Sequence, residues 1–310
     1  MACGRSEVDN LRGNGYYRVV DSSRAVSETP SSGHIGRLLR HWRMTRRVAQ
    51  LALALQAEVS TRHLSYIEGG RALPSREMII RLADVLQIPL RERNTLLLAA
   101  GYAPLYHETD INTPEMAEAR RAVEYILAQQ DPFPAIVLDR HWNVLMTNAA
   151  TQRFLALFPE CERPQPANAL RLIFHPRGMR PFVHNWEEVA SRMIQRLQRE
   201  AAANPTDTRT GALLDELLSY PGVSSRWRTP DLDRPPTPLL SICYQRDDQI
   251  YRFFSTITTF GTAQDITLQE LRIECFFPAD DTTRTAITRL KEHQSLSAAA
   301  VDGSTHPGQT

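Results

Sequence analysis

The sequence predicts two domains of different class: an N-terminal all-α bundle of five helices over residues 33–106 and a C-terminal α+β domain over residues 107–293. The 310 residues, 42% of them apolar, are enough for two hydrophobic cores. The apolar residues of the first region follow a helical period, whereas the second region also contains β-prone runs with alternating apolar residues. Residues 1–32 and 294–310 are polar without such a period, which predicts disordered tails.

Charge is distributed unevenly between the two regions, although the whole chain carries a net charge of only +1. Residues 33–106 contain 11 basic and 5 acidic residues, whereas 21 basic and 26 acidic residues follow position 106. A basic segment joined to a mildly acidic one indicates that only the first domain meets a polyanion.

Composition also limits the classes of protein to consider. No run approaches the roughly 18 apolar residues of a membrane-spanning helix, and the N-terminal segment is too polar for a signal peptide. The four cysteines are scattered singly, without the paired spacing of a zinc or redox motif. We therefore expect a cytoplasmic protein with no membrane partner, no metal and no cofactor.

Apolar spacing and helix-end signals predict the five helices of the first domain. Ser75 is placed to cap the fourth helix after Pro74, Pro89 opens the fifth, and Gly101 ends it. The residues expected to face inward on the first four helices are Ile35, Leu38, Leu39, Trp42, Leu51, Ala54, Leu55, Leu64, Ile67, Ile79, Leu82, Ala83 and Leu86.

The second domain is predicted to combine helices with five strands. Helices are expected at 113–130, 148–158 and 185–203. Strands are expected at 135–139, 143–148, 239–246, 250–260 and 266–277, the first two forming a hairpin around RHW. In the last strand, Ile266 and Leu268 are out of phase with the later apolar residues, so we expect a bulge near Gln269 and Glu270. A helix capping box in TLQE is the alternative.

The stretch QLALALQAEVSTRHLSYIE, residues 50–68, has the spacing of a helix-turn-helix. Leu53, Ala54 and Ala57 face inward from the first helix in this interpretation, while Leu64 and Ile67 anchor the second. The second helix would then enter the major groove of DNA with its outer residues.

These residues resemble the helix-turn-helix of Cro and the phage repressors, the Xre family. The matching positions are Gln50, Ala54, Val59, Ser60, Leu64, Ile67, Glu68, Gly70 and Pro74. Longer runs, GRLLRHWR, VSTRHLSYIEGGRALPSREMIIRLADVL and LRERNTLLLAAGYAPLY, are similar to one actinobacterial group of these regulators. VLDRHWNVLMTNAA, NWEEVA and FFSTITTFGTAQDITLQELRIECFFPAD resemble its C-terminal ligand-binding domain, called MmyB-like.

The resemblance covers residues 34–285 and implies a transcription regulator at the nucleoid. Its phage-repressor-like bundle would bind a double-stranded DNA operator, and a PAS-like domain would sense a small molecule. We expect a homodimer, because two half-sites about 34 Å apart multiply the contacts of one small bundle. The resemblance implies no enzymatic activity.

The resemblance also assigns roles to single residues of the bundle. The predicted DNA-binding set is Gln50, Ser60, Thr61, Arg62, His63, Ser65, Tyr66 and Arg71. Within this set, Gln50 and Arg71 are expected to contact phosphates, and Arg62 to contact a guanine in bidentate fashion. Arg37, Arg40, Arg43, Arg46 and Arg47 have two open interpretations, a DNA contact or a solvated face.

Two residues depart from the pattern of the family. Glu58 stands in the turn where glycine is usual, because that position has φ > 0, and a side chain there costs on the order of 1 kcal/mol. Ala49 stands where a serine or threonine usually caps the first motif helix, a further loss of about 1 kcal/mol. Glu58 lies four residues before Arg62, and we expect the two side chains to pair.

In the second domain the resemblance implies a ligand cavity between the sheet and its helices. The candidate lining residues are Val137, Leu145, Phe254, Ile257, Phe260 and Phe277. An apolar ligand such as a fatty acyl chain suits their aromatic content. For each of them, ordinary core packing is the alternative.

Two other functional classes stay open. A metal-dependent enzyme is suggested by His175, His184, Glu187 and Glu188, although their spacing matches no known zinc motif. Asp139, His141 and Ser255 form no nucleophile signature. A protein-interaction module whose helix-turn-helix no longer binds DNA is suggested by Ala49 and Glu58.

Overall fold

A computed structural model of the chain describes residues 32–204, 207–229 and 239–302. Residues 1–31 of the predicted disordered tail 1–32, and the last part of the second tail, 303–310, lie outside the described residues. The same holds for residues 205–206 and 230–238.

The first domain contains the five predicted helices within residues 32–99. They are α1 (Ser32–Thr45), α2 (Gln50–Gln56), α3 (Thr61–Glu68), α4 (Arg76–Val85) and α5 (Leu90–Ala99). One apolar core joins all five helices. On α2, the prediction that Leu51 and Leu55 face inward is wrong, because these side chains are 59% and 70% exposed. The short helix buries Leu53, Ala54 and, just beyond its end, Ala57, which confirms the inward residues of the helix-turn-helix interpretation.

All five helices of the bundle end in a left-handed residue, which is glycine after α3 and α5 and another residue after α1, α2 and α4. Arg47, Glu58 and Gln87 each lie two positions beyond a helix, with φ of 55°, 55° and 48°. Between α2 and α3, the Val59 N–H donates to the Ala54 carbonyl at 2.9 Å, and the Glu58 N–H donates to the Leu55 carbonyl at 3.2 Å, the two bonds of a Schellman motif. The predicted positive φ of Glu58 is confirmed.

The second domain is built on a five-stranded antiparallel sheet with the order β2-β1-β5-β4-β3. The strands are β1 (Ala135–Leu138), β2 (Val144–Thr147), β3 (Ser241–Arg246), β4 (Gln249–Thr258) and β5 (Arg272–Pro278). The hairpin of β1 and β2 is confirmed. The α+β class of the domain is confirmed as well.

Three predicted helices of this domain are present. They are α6 (Ala117–Gln129), preceded by a 3-10 turn at Pro114–Met116, α7 (Ala149–Ala156) and α9 (Trp186–Ala203). Three further helices were not predicted: α8 (Ala169–Phe174), α10 (Thr208–Ser219) and α12 (Asp281–Asp302). The last of these continues past residue 293, so the prediction of a disordered tail is wrong for residues 294–302. The SLSAAA segment there consists largely of helix formers.

The start of the predicted fifth strand is a helix instead. Residues Ile266–Glu270 form α11, capped by the Asp265 carboxylate, which accepts a hydrogen bond from the Thr267 N–H at 2.8 Å. The predicted bulge is therefore wrong, and the alternative of a helix in TLQE is confirmed, although its cap is Asp265. The two out-of-phase apolar residues belong to this short helix, and the strand begins only at Arg272.

The two faces of the sheet pack against different helices. The α6 face packs strand residues Val137, Ile273 and Cys275 against Val123 and Leu127 of α6. The opposite face, called here the cavity face, packs against α7, α8 and α9 through residues that include Ile136, Val144, Tyr244, Phe253 and Phe276. Both faces are thus apolar.

Candidate DNA-contacting surface and ligand cavity

Helix α3 is held from one side and open on the other. Its N-cap is Ser60, whose hydroxyl accepts a hydrogen bond from the His63 N–H at 3.1 Å. Leu64 and Ile67 are fully buried, as predicted. The outer residues Thr61, Arg62 and Ser65 are exposed, and His63 and Tyr66 are half-buried. The predicted recognition surface is therefore accessible.

Tyr66 organises two arginines on this surface. The Arg62 Nε donates to the Tyr66 hydroxyl at 3.0 Å, and its guanidinium carbon lies 5.4 Å from the ring centroid. The Arg71 guanidinium lies 5.9 Å from the same ring. The predicted pairing of Glu58 with Arg62 is wrong, because the left-handed turn brings the Glu58 carboxylate to 3.9 Å from Arg81 Nη1. Glu58 therefore does not neutralise Arg62.

A buried ion pair lies beneath the recognition helix. Arg43 of α1 donates from Nε and Nη2 to the two carboxylate oxygens of Glu68, at 2.7 and 2.8 Å. Gln50 Nε2 donates to the same carboxylate at 3.0 Å. The hydrogen bond to Glu68 is the main reason that the pKa of Arg43 is raised. In this arrangement the Gln50 amide nitrogen binds the protein, and the phosphate contact of Gln50 stays a prediction.

The arginines of α1 and its C-terminal turn divide into two groups. Arg43 belongs to the buried ion pair, and Arg46 donates to the carbonyls of Leu86 and Gln87, each at 3.0 Å. These two arginines therefore hold the bundle together. The remaining three are exposed: Arg37, Arg40 and Arg47.

N-terminal capping differs between the two motif helices. Ala49 is the N-cap of α2 and makes no side-chain cap hydrogen bond, as predicted. Ser60 caps α3 through its hydroxyl. The loss at Ala49 thus affects the helix that supports the recognition helix, and the recognition helix itself is capped.

A cavity of about 140 Å³ lies on the cavity face of the second domain. Its walls are mostly apolar, with Ile136, Val144, Phe154, Leu172, Phe253 and Phe276 among the lining residues. Asn168, 2% exposed, brings a polar side chain to the wall. Arg163 is exposed and brings a positive charge to the rim.

The six predicted ligand residues do not line this cavity. Leu145, Phe260 and Phe277 pack against the core of the α6 face, where Val137 is fully buried. Phe254 stacks on Phe277 with ring centroids 5.5 Å apart, which places it on the same face.

The sixth predicted residue, Ile257, lies near the end of β4 and is 39% exposed. The lining residues stand one position away from four of the predicted ones, at 136, 144, 253 and 276. Side chains alternate along a strand, so an error of one position selects the opposite face. The structure therefore moves the candidate ligand site to the cavity face.

The residues considered for metal binding do not meet at one site, and each makes its own local contacts. His175 packs edge-on against Tyr220, and His184 Nδ1 lies 3.1 Å from Gln245 Oε1. Glu188 accepts a hydrogen bond from Asn185 at 3.3 Å. Across the described ranges, no group of three or more His, Cys, Asp or Glu side chains is arranged to hold a metal ion.

The residues considered for nucleophilic chemistry are not assembled into a site either. The Ser255 hydroxyl donates to Glu274 at 2.6 Å, and burial raises the pKa of that carboxyl. Asp139 accepts hydrogen bonds from the backbone N–H groups of His141 and Asn143, at 2.8 and 2.9 Å. Neither His141 nor Asp139 thus acts as a base for Ser255.

Comparison with known families agrees with this architecture. The model of a helix-turn-helix domain matches residues 34–96. The model of the MmyB-like transcription regulator ligand binding domain matches residues 119–290, more than half of the chain. The fold and the accessible recognition helix define a helix-turn-helix transcription regulator. The chain belongs to the family of MmyB-like transcription regulators.

Two solved structures are similar to a part of the chain. The restriction-modification controller protein C.AhdI from Aeromonas hydrophila is 27% identical over 20% of this chain and 94% of its own, with a TM-score of 0.19. The clp gene regulator ClgR from C. glutamicum is 28% identical over 25% of this chain and 96% of its own, with a TM-score of 0.21. None of the curated proteins matches the chain significantly. Along the described part of the chain, no helix combines the length and apolarity that a membrane span requires.

Proposed function

We propose that the protein binds a specific double-stranded DNA operator in the cytoplasm as a homodimer, with α3 in the major groove. The main support is the geometry of α3, which is capped by Ser60, anchored by buried Leu64 and Ile67, and exposed on its outer side. A helix held in this way presents its N-terminal residues to base edges.

Individual contacts follow from the same geometry. Arg62 reads a guanine through its two-pronged guanidinium, while Arg71, beyond the end of α3, binds a phosphate. Tyr66 keeps both guanidiniums at the surface, since each packs against its ring. Thr61, His63 and Ser65 complete the set of DNA-contacting residues. Gln50, at the start of α2, contacts a phosphate of the DNA backbone.

For the second domain we propose a small apolar ligand with an anionic end, of the fatty-acid class. The apolar walls of the cavity accept a hydrocarbon chain. The exposed Arg163 at the rim would pair with a carboxylate, which stays near solvent. Such a ligand makes the domain a sensor that tunes operator binding.

The DNA proposal is tested by fluorescence anisotropy with DNA fragments from upstream of the gene and its neighbours, across a salt series. We expect a specific complex whose log affinity falls linearly with log salt. Arg62→Ala weakens it, whereas Arg199→Ala, an exposed arginine of the second domain, leaves it unchanged. A protein that retains no duplex even at low ionic strength would instead be the interaction module with a degenerate helix-turn-helix.

The ligand proposal is tested with a fluorescent long-chain fatty acid added to the full chain. We expect saturable binding that unlabelled dodecanoate displaces, and weaker binding by Arg163→Gln. The corresponding alcohol, dodecanol, is the matched control for the carboxylate. Equal displacement by dodecanoate and dodecanol would remove the anionic end from the proposal.

A further inference from the structure

The first turn of α5 connects the DNA-binding bundle to the second domain. The Leu90 N–H donates to Gln269 Oε1 at 2.7 Å. Arg91 donates to both carboxylate oxygens of Glu270, at 2.8 and 2.9 Å, and also binds Glu108. Two of these acceptors belong to α11, so this short helix is the docking element of the second domain.

Arg140, in the turn between β1 and β2, forms a second connection at the same interface. Its Nη1 donates to Glu270 at 2.9 Å, and its Nη2 donates to Asp207 at 2.5 Å. Nη1 also lies 3.8 Å from the carboxylate of Glu92 in α5. Glu92 is only 6% exposed and accepts a hydrogen bond from Asn204. One arginine thus contacts the bundle and two separate segments of the second domain.

The same turn is hydrogen-bonded to the wall of the cavity. Three consecutive wall residues take part: the Ala167 carbonyl accepts from the Val144 N–H at 2.8 Å, and the Ala169 N–H donates to the Trp142 carbonyl at 2.9 Å. Between them, Asn168 Nδ2 donates to the His141 carbonyl at 2.9 Å. Displacement of this wall segment therefore displaces the turn.

We propose that the β1–β2 turn couples the cavity to the DNA-binding bundle, through Arg140 on one side and Asn168 on the other. This inference rests on the proposed role of the cavity as a ligand site. A ligand that shifts residues 167–169 moves Arg140 and changes the docking of α5. Helix α5 packs against α1 in the core of the bundle, and α1 holds α3 through the Arg43–Glu68 pair.

The chemistry of the interface favours two discrete arrangements over a continuous shift. Arg140, Glu92 and Asp207 are largely buried, with side chains 16%, 7% and 9% exposed. Separating such charges without new partners leaves them uncompensated, so the contacts are kept or exchanged together. The pKa of Arg140 stays above its usual value because Asp207 and Glu270 outweigh its burial.

The coupling is tested in the full chain without ligand or DNA, by a double-mutant cycle read by hydrogen exchange of amides 90 and 93–96 in α5, which are hydrogen-bonded. Asn168→Ser keeps an oxygen that caps α8 and removes the donor to the turn. We expect it to speed exchange in α5 at least about fivefold. In the Arg140→Met variant, Asn168→Ser is expected to change the exchange rate of the α5 amides less than twofold. Gln165→Ser, at another amide of the cavity wall, is the control and leaves α5 unchanged.

Additive effects in the cycle would overturn the coupling, as would a silent Asn168→Ser. If Arg140→Met does not fold, Glu92→Gln takes its place, because it removes the charge on the bundle side without a change in shape. Failure of the DNA or fatty-acid experiments would overturn the proposed function. The hydrogen-exchange cycle, which uses neither DNA nor ligand, would still test the coupling. A positive cycle is followed by DNA titration, in which Asn168→Ser changes operator affinity only when Arg140 is present.

Discussion

The candidate recognition surface and the candidate ligand cavity differ in how their residues are presented. On α3, Leu64 and Ile67 are fully buried while Thr61, Arg62 and Ser65 are exposed, so the helix has one covered and one open side. In the sheet, both faces are apolar and covered. The sequence pattern of a half-covered helix therefore shows which side faces outward, whereas the pattern of a strand covered on both faces does not show which face borders a cavity.

The largest effect is expected when the ion pair that supports the recognition surface is removed. Glu68→Ala removes the carboxylate shared by Arg43 and Gln50 and leaves the largely buried Arg43 guanidinium with only the Val48 carbonyl as a partner, so we expect a loss of about 3 kcal/mol in the free energy of unfolding. Urea denaturation followed by circular dichroism measures it. Glu77→Ala, an exposed carboxylate in the first turn of α4, is the control. A loss below about 1 kcal/mol would mean that the pair does not support α3.

The second prediction separates base reading from phosphate binding on the recognition surface. Arg62→Ala removes about 1–3 kcal/mol of discrimination at one base pair and relaxes specificity there. Arg71→Ala weakens binding uniformly and lowers the salt slope by about 1. Anisotropy titrations with the operator and single-base variants distinguish them. Identical behaviour of the two variants would show that Arg62 contacts only the backbone.

The third prediction uses neighbouring residues on opposite faces of β5. Phe276→Ala removes an aromatic ring from the cavity wall. We expect about tenfold weaker binding of the fatty-acid probe, or about 1.4 kcal/mol. Phe277→Ala removes the same ring from the α6 face and changes probe affinity less than twofold. Probe titration and thermal unfolding of both variants are the measurements. The opposite ranking would return the ligand to the face predicted from the sequence.

The smallest effect concerns the turn before α3. Glu58→Gly relieves the left-handed strain at φ 55°, and we expect stabilisation of about 1 kcal/mol. The Arg81 contact that it removes is long and exposed, so it offsets little. Calorimetry should show Tm raised by about 2–4 °C. Gln56→Gly, within α2, should lower Tm instead, and a fall with Glu58→Gly would contradict strain at this turn.

Local sequence was sufficient for the bundle and insufficient for the cavity. The five helices and the left-handed turn at Glu58 depend on residues within a few positions of one another. The errors on α2 and at α11 have one origin: apolar residues at ambiguous spacing were assigned to an element before their partners were known. Leu51 and Leu55 share a stripe that nothing in the bundle covers.

The amino-acid pattern alone specified a basic bundle of five helices and an α+β partner domain, because helix periodicity and turn chemistry act over short distances along the chain. The DNA-binding role of the bundle was implied by the resemblance to the Xre family. Packing decided which face of the sheet holds the cavity. The alternation of side chains along a strand separates two faces, but it does not show which of them borders a cavity. Packing also brought Glu92, Arg140 and Glu270 together from three distant segments. Contacts of this kind depend on which elements dock, and no local pattern encodes that choice.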